Sequence, residues 1–186
     1  LLGNKKKIQT LAFIGGSVKT KLFFKGPLLT RSGYGEQARF AMRALKSRPD
    51  LFDIHIQPLQ WGKTSWVTEE DDERIWIDSV IEKTIGFTQQ GGTFDASFQV
   101  TIPNEWENIA PVNIGFTAGM ETTKVAFPWI QRGNNMDRII VVSNHSKNTY
   151  AGTEYMARKE ATGEEVAMRL ETQIDVANYP TKNFGD

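Results

Sequence analysis

Between Lys21 and Leu59 the apolar positions change period twice. Leu22, Phe23 and Phe24 form a short continuous apolar run inside Lys21–Lys25, the pattern of a buried strand. Gly26-Pro27 breaks that run, and Ser32-Gly33-Tyr34-Gly35 closes a loop. From Glu36 the spacing turns helical. Phe40, Ala41, Ala44 and Leu45 share one stripe, with Arg39, Arg43 and Lys46 opposite. Pro49-Asp50 stops the helix. Phe52, Ile54, Ile56 and Pro58 then alternate with Asp53, His55 and Gln57, as in a half-buried strand in which His55 is a structural residue. Strand, helix and strand in that order predict a parallel pair joined by a crossover. Ligands of open α/β sheets bind at the carboxyl ends of strands, so the loop Gly26–Gly35 is the first place to look for function.

The same alternation continues downstream. Gln60–Trp66 is a loop with two tryptophans. The spacing predicts a helix over Glu69–Lys83, capped by Thr68, with Ile77, Val80, Ile81 and Ile85 on its apolar face. Strands are expected over Phe94–Ile102, Val112–Thr117 and Arg138–Val142, and a last one over Gln173–Tyr179. Pro128–Asn134 reads as a short helix, and Ser143 as the cap of another running to about Tyr150. Gly152–Thr172 is charged and reads as one helix or a mobile insertion. Upstream, Ile8–Ile14 and Thr20–Phe24 flank Gly15-Gly16-Ser17 as a hairpin or a loose leading strand. The expected organisation is an N-terminal extension over 1–20, an α/β domain with a mostly parallel sheet over 21–180, and an exit segment over 181–186.

Composition narrows the function classes. The chain has 186 residues, 39% hydrophobic and 24% charged, in the range of one globular domain. Lys+Arg and Asp+Glu both number 22, so no net field draws it to nucleic acid or an anionic membrane. The absence of cysteine excludes disulfides, thiolate metal sites and a cysteine nucleophile, and the two histidines leave little for a histidine metal centre. No run approaches the roughly 20 apolar residues of a membrane span. Lys5–Lys7 followed by Leu11–Ile14 resembles a signal peptide, but its apolar core is too short for one. A cytoplasmic location is expected.

Candidate chemistry clusters at the strand ends. Gly33-Tyr34-Gly35-Glu36-Gln37-Ala38 matches G-x-G-x-x-A, whose small residues let a phosphate approach backbone amides at a helix start. In a dinucleotide site that fingerprint follows its strand directly and an acid ends the second strand. Here a loop intervenes, and Asp53 begins the second strand rather than ending it. NAD binding, a plain helix entry, and a phosphate- or sugar-facing loop of another family are the alternatives. Glu105 and Glu121 follow successive strands. Each is a candidate general base or hydroxyl binder, or else part of a solvated turn. Ser143 is a helix cap at an anion-favouring N-terminus, and His145 beside it can hydrogen-bond a substrate. No G-x-S-x-G elbow exposes a nucleophilic serine.

Four segments taken in order add a resemblance. G-P-L-L-T-R-S-G-Y-G before a helix, F-D-A-S-F-Q-V-T-I-P-N-E-W, V-N-I-G-F-T-A-G-M-E-T-T, and W-I-Q-R-G-N-N-M-D-R-I-I-V-V-S-N-H-S-K together resemble the N-terminal half of GT-B glycosyltransferases of the group 1, family 4-like type. The resemblance covers roughly Lys21–Tyr150. It implies a Rossmann-like acceptor-side domain that pairs with a C-terminal donor-binding domain across a cleft. Ala177-Asn178-Tyr179-Pro180 would then lead into that second domain, and this half would be inactive alone. It further implies a hexosyltransferase-like activity with a UDP-, GDP- or ADP-sugar donor. The acceptor would be a carbohydrate, lipid or protein, and no bound metal or permanent cofactor is needed. By the same resemblance Gly33, Tyr34, Gly35 and Ser143 face the donor, while Glu121, Glu105 and His145 are the candidate catalytic residues. Where many relatives carry a histidine after the mid-domain strand, this chain has Pro103-Asn104-Glu105, and the donor-binding E-x7-E pair is absent from the sequence. The alternatives are an NAD-type dinucleotide-binding oxidoreductase domain and a non-catalytic interaction domain on the same fold.

Overall fold

The computed structural model describes residues 18–119, 121–158 and 161–180. The expected hairpin over Ile8–Ile14, most of the N-terminal extension and the exit segment 181–186 lie outside the described residues; Thr20 already belongs to the first strand. Six strands form the main sheet: β1 (Thr20–Gly26), β2 (Phe52–Pro58), β3 (Ala96–Val100), β4 (Val112–Phe116), β5 (Arg138–Val141) and β8 (Ile174–Val176). They run in the order β2-β1-β3-β4-β5-β8, and every neighbouring pair is parallel. Helices α1 (Gly33–Lys46), α2 (Asp72–Gln89), α3 (Phe127–Gly133) and α4 (Asn144–Gly152) flank the sheet. The fold is α/β with a parallel sheet, as the alternating pattern predicts, and Rossmann-like, as the resemblance implies.

Two apolar cores follow from the period of two along each strand. On one side, Leu22, Phe24, Ile54, Ile56, Phe98 and Phe116 meet Ala38 and Met42 of α1 and Ile77 and Val80 of α2. On the other, Ile139, Val141 and Ile174 meet Trp106, Ile130 and Tyr150. That second side turns polar towards β3, where Ser97, Gln99 and Asn113 are all buried. The β3–β4 connection, which opens with a 3-10 turn at Pro103–Glu105, packs against them. Gln99 exchanges two hydrogen bonds with the Glu107 backbone (2.6 and 3.0 Å). Asn113 accepts from the amides of Ile109 and Ala110 and donates to the Ala110 carbonyl. The buried polar side chains thus take the place of water for a backbone that forms no ladder. Trp106 fixes the connection from within: a Cβ at Gly115 would stand 2.5 Å from its ring.

Helix boundaries and faces depart from the predicted ones at several points. α1 begins at Gly33 rather than after Gly35, because the Ser32 hydroxyl caps it by accepting from the Gly35 amide (2.9 Å). Its inward stripe is Gly35, Ala38, Arg39 and Met42, while Ala44 is exposed. Arg39 is buried because the loop after β1 leaves carbonyls in need of donors. Its guanidinium donates to Leu28 O (2.7 Å) and Thr30 O (3.0 Å) and pairs with Glu36. α2 starts at Asp72 under an Asp71 cap, not at Glu69 under Thr68. Its Ile85 is 51% exposed, and Thr84 takes the inward position. The Thr84 hydroxyl accepts from the Ile56 amide (2.8 Å), and Lys83 donates to the Ile54 carbonyl (2.6 Å), so α2 occupies the outer side of β2. Gly152–Thr172 is not a helix. It is an antiparallel hairpin of β6 (Glu154–Arg158) and β7 (Glu165–Arg169), pinned by the Tyr155 hydroxyl donating to Val125 O (2.7 Å) and by Asn134 donating to Arg169 O (2.9 Å).

His55 is buried at mid-strand, packed against the rings of Phe87 and Phe94. Neither ring nitrogen has a hydrogen-bond partner. Burial pushes its pKa down and the Lys83 ammonium adds to this, while the Asp53 carboxylate 3.4 Å away pulls the other way. An unfolded histidine takes up its proton near pH ~6.5, whereas the folded one resists. The unfolded chain therefore holds more protons just below that pH. Stability from this group is complete above pH ~6.5 and is lost as the pH falls from there towards the depressed folded pKa. Denaturant unfolding followed between pH 7.5 and 5.5 is expected to show this loss, and His55→Phe to flatten the slope relative to the parent chain.

Candidate functional site

All six parallel strands deliver their carboxyl ends to one edge, and the residues that follow them meet there. The centre is Thr117–Ala118–Gly119, directly after β4. Tyr34, in the first turn of α1, reaches across to it. Its hydroxyl lies 2.9 Å from Thr117 Oγ1 and accepts from the Ala118 amide (3.3 Å). The Tyr34 ring packs on Trp61, centroids 4.2 Å apart, so this tryptophan of the Gln60–Trp66 loop is half-buried beside the site. Burial raises the Tyr34 pKa, the hydrogen bonds to Thr117 and Ala118 oppose this, and the Glu105 carboxylate raises it further. Tyr34 is a neutral phenol at physiological pH, and Glu105 is near enough to affect it electrostatically.

Glu105 ends the 3-10 turn after β3. Its carboxylate is exposed, and it accepts a hydrogen bond from the fully buried Thr101 hydroxyl. On the other side of the centre, Gly119 packs against the start of α4. A Cβ there would stand 3.0 Å from Val142 and 3.5 Å from the Ser146 hydroxyl. Ser143 caps α4 as its sequence position predicts, accepting from the Ser146 amide (3.1 Å). Tyr179, beyond β8, is half exposed; partial burial raises its pKa, the Tyr34 phenol adds to this and the Gly119 backbone opposes it. Two helix N-termini, a phenol, buried threonines and an exposed carboxylate therefore surround one short segment. The helix ends favour negative charge and the carboxylate can accept a proton.

The remaining candidate positions separate. Gly33 lines a different cleft, of about 650 Å³, on the far side of α1 with Arg31, Arg39, Arg43, Glu69 and Glu73. The arginines there are paired: Arg31 with Glu69, Arg39 with Glu36 and Arg43 with Glu73. Gly35 faces inward, and a Cβ would stand 2.1 Å from the Thr30 carbonyl. Glu121 and His145 are exposed, the first in the loop after β4 and the second at the start of α4. No sequence motif marks Thr101, Thr117 or Tyr179 as site residues. The signal the sequence carries is position: Thr101 and Thr117 each stand one residue past a strand, in V-T-I-P and G-F-T-A-G. Among the described residues no group of three acidic, histidine or cysteine side chains is placed to hold a metal ion, and no helix is long and apolar enough to cross a membrane.

Compared with protein-family models, with curated protein sequences and with solved structures, the chain gave no match.

The two glycines of the G-x-G motif are expected to separate in denaturant unfolding. Gly35→Ala forces Thr30 and the start of α1 apart and should cost about 1–3 kcal/mol. Gly33→Ala meets open space and should change stability by less than about 0.5 kcal/mol.

Proposed function

We propose that this chain is the acceptor-side domain of a nucleotide-sugar-dependent glycosyltransferase, hexosyltransferase-like, working with a second, donor-binding domain. The observation that carries the reading is the convergence at Thr117–Gly119: the first turns of α1 and α4, the Tyr34 phenol and the Glu105 carboxylate gather at the carboxyl edge of a parallel sheet. The ordered resemblance of the four strand-end segments to GT-B enzymes supports the same reading.

The chemistry asked of such a site is charge handling. The bond from the sugar C1 to the leaving phosphate oxygen breaks, and a bond from C1 to the acceptor hydroxyl oxygen forms. Negative charge grows on the nucleoside diphosphate, where helix N-termini and backbone amides stabilise it. The acceptor proton passes to a base, and Glu105 is the group this reading assigns, with Thr101 fixing its orientation. Tyr34 stays neutral and offers a hydroxyl rather than a charge. Trp61 offers an aromatic face beside it for a sugar ring. Closing two domains over the edge excludes water and aligns the acceptor. Glu121 and His145 stand in this reading as exposed groups available to a substrate in the closed form. The donor is a UDP-, GDP- or ADP-sugar, the acceptor a carbohydrate, lipid or protein, and the location cytoplasmic. A dinucleotide-binding oxidoreductase has less support, because six residues separate β1 from Gly33 and the glycines lie within the helix's first turn.

The test is nucleotide release from a panel of UDP-, GDP- and ADP-sugars with candidate acceptors. It uses the longest natural polypeptide that contains this chain beside residues 1–186 alone. Release by the long form only is expected. Glu105→Gln should lower that rate at least about tenfold, equivalent to ~1.4 kcal/mol on the barrier. Glu105→Gln and Glu121→Gln that both leave the rate within about twofold would sink the catalytic assignment.

A further inference from the structure

The β6–β7 hairpin has one face that the fold uses and one that it leaves to solvent. Tyr155 and Met168 turn inward and join the second core. The Tyr155 hydroxyl donates to Val125 O, its ring packs edge-on against Phe127, and Asn134 donates to the Arg169 carbonyl. Those contacts pin the ribbon, so its other face points in a set direction. The period of two puts Glu154, Met156 and Arg158 of β6 on that face, with Arg169, Ala167 and Glu165 of β7. All six are exposed, Met156 by 63%.

The register sets these six in a particular order. Glu154 stands opposite Arg169, Met156 opposite Ala167, and Arg158 opposite Glu165. Acid and base therefore alternate both along the strands and across the ribbon, around an apolar centre. Two carboxylates and two guanidiniums leave the face without net charge. A surface of one sign meets as much repulsion as attraction there, so neither a polyanion nor a basic peptide is its complement. The complement is the same alternation turned over, and a second copy of the chain carries it. A two-fold axis along the strands lays Glu154 on the partner's Arg169, Arg158 on the partner's Glu165 and Met156 on the partner's Ala167. An axis across the strands lays Glu154 on the partner's Arg158, Arg169 on the partner's Glu165 and Met156 on the partner's Met156. Every charge meets its opposite in either arrangement, and the contact is isologous, as in most homodimers. In the single chain the Glu154–Arg169 pair, 3.1 Å apart, is exposed on both sides and loses most of its strength to water.

We propose that the outward face of the β6–β7 hairpin pairs face to face with that of a second copy of this chain, as a two-fold dimer. Five residues on each of two strands span about 17 by 10 Å. That is well below the roughly 800 Å² per partner of a stable complex, so the dimer is a transient one, with a dissociation constant of about 0.1–1 mM. The inference does not rest on sugar transfer: it stands or falls by association alone.

The experiment is sedimentation velocity of the 186-residue chain from about 10 μM to about 2 mM, with melting temperatures measured in parallel. A concentration-dependent shift from monomer to dimer is expected, weaker in high salt because ion pairs carry it. Glu154→Arg with Glu165→Arg makes the face wholly basic, and Arg158→Glu with Arg169→Glu makes it wholly acidic. Each double variant alone should associate at least about tenfold more weakly than the parent, whereas an equal mixture of the two should associate at least as well as the parent. If like charges facing each other across the ribbon loosen the hairpin, Met156→Lys carries the test. It keeps both cross-strand charge pairs, puts a charge on the apolar centre, and should weaken association at least about tenfold at an unchanged melting temperature. The proposal is overturned if the parent chain stays monomeric to about 2 mM. It is equally overturned if association is indifferent to Met156→Lys, or if the two folded double variants associate no better together than apart.

Discussion

Backbone groups taken out of water must find partners, and that requirement shapes this fold more than any single apolar contact. Two loops have no ladder or helix of their own and β2 has a free outer side, and each is met by side chains set in a regular element. The loop after β1 is met by Arg39, a charged group drawn into the interior by two carbonyls. The connection from β3 to β4 is met by Gln99 and Asn113, which make that part of the sheet polar. The outer side of β2 is met by Lys83 and Thr84. The site depends on the first two. The connection that Gln99 and Asn113 hold against the sheet leaves Glu105 at the carboxyl edge, and the loop that Arg39 anchors sets where α1 begins, and so where Tyr34 points.

α1 organises what surrounds it by presenting a different chemistry on each side. One stripe, Gly35, Ala38 and Met42, packs inward. A second, Glu36, Arg39 and Arg43, borders the cleft of paired charges beside the capping Ser32, with Arg39 also turned inward to the loop carbonyls. The third, Tyr34, Gln37, Ala41 and Ala44, turns towards the β4 end and the tail beyond β8. The polar groups of that third stripe are treated oppositely. Tyr34 is fully engaged with Thr117 and Ala118, whereas Gln37, one turn along, has no partner.

Much of the fold was legible because hydrophobic period and helix caps are local signals. The strand runs, the helix after RIIVV and the Ser143 cap all lie close to where the pattern puts them. The misplaced features share a cause: their positions are settled by partners distant in sequence. Arg39 reads as a solvent-facing charge until the loop carbonyls arrive. Thr84 reads as the polar interruption of an isoleucine stripe until β2 needs a hydroxyl. The Glu154–Arg169 hairpin is hidden by charges on a short exposed ribbon. At the site, strand ends could be read, but the clefts they face could not. Gly33 and Tyr34 are neighbours in sequence, yet about 100° apart around the helix, and they border different clefts.

The placement of α2 against β2 also bears on how the molecule meets its own copies. A parallel sheet ends at two margins, and an open margin is a template on which another chain can grow. At β2 that template is occupied: one amide and one carbonyl that a foreign strand would use are already bound by Thr84 and Lys83. At the opposite margin β8 offers only three residues. Edge-to-edge polymerisation thus meets a blocked border on one flank and a short one on the other, a safeguard written in two side chains of a helix rather than in the strands themselves.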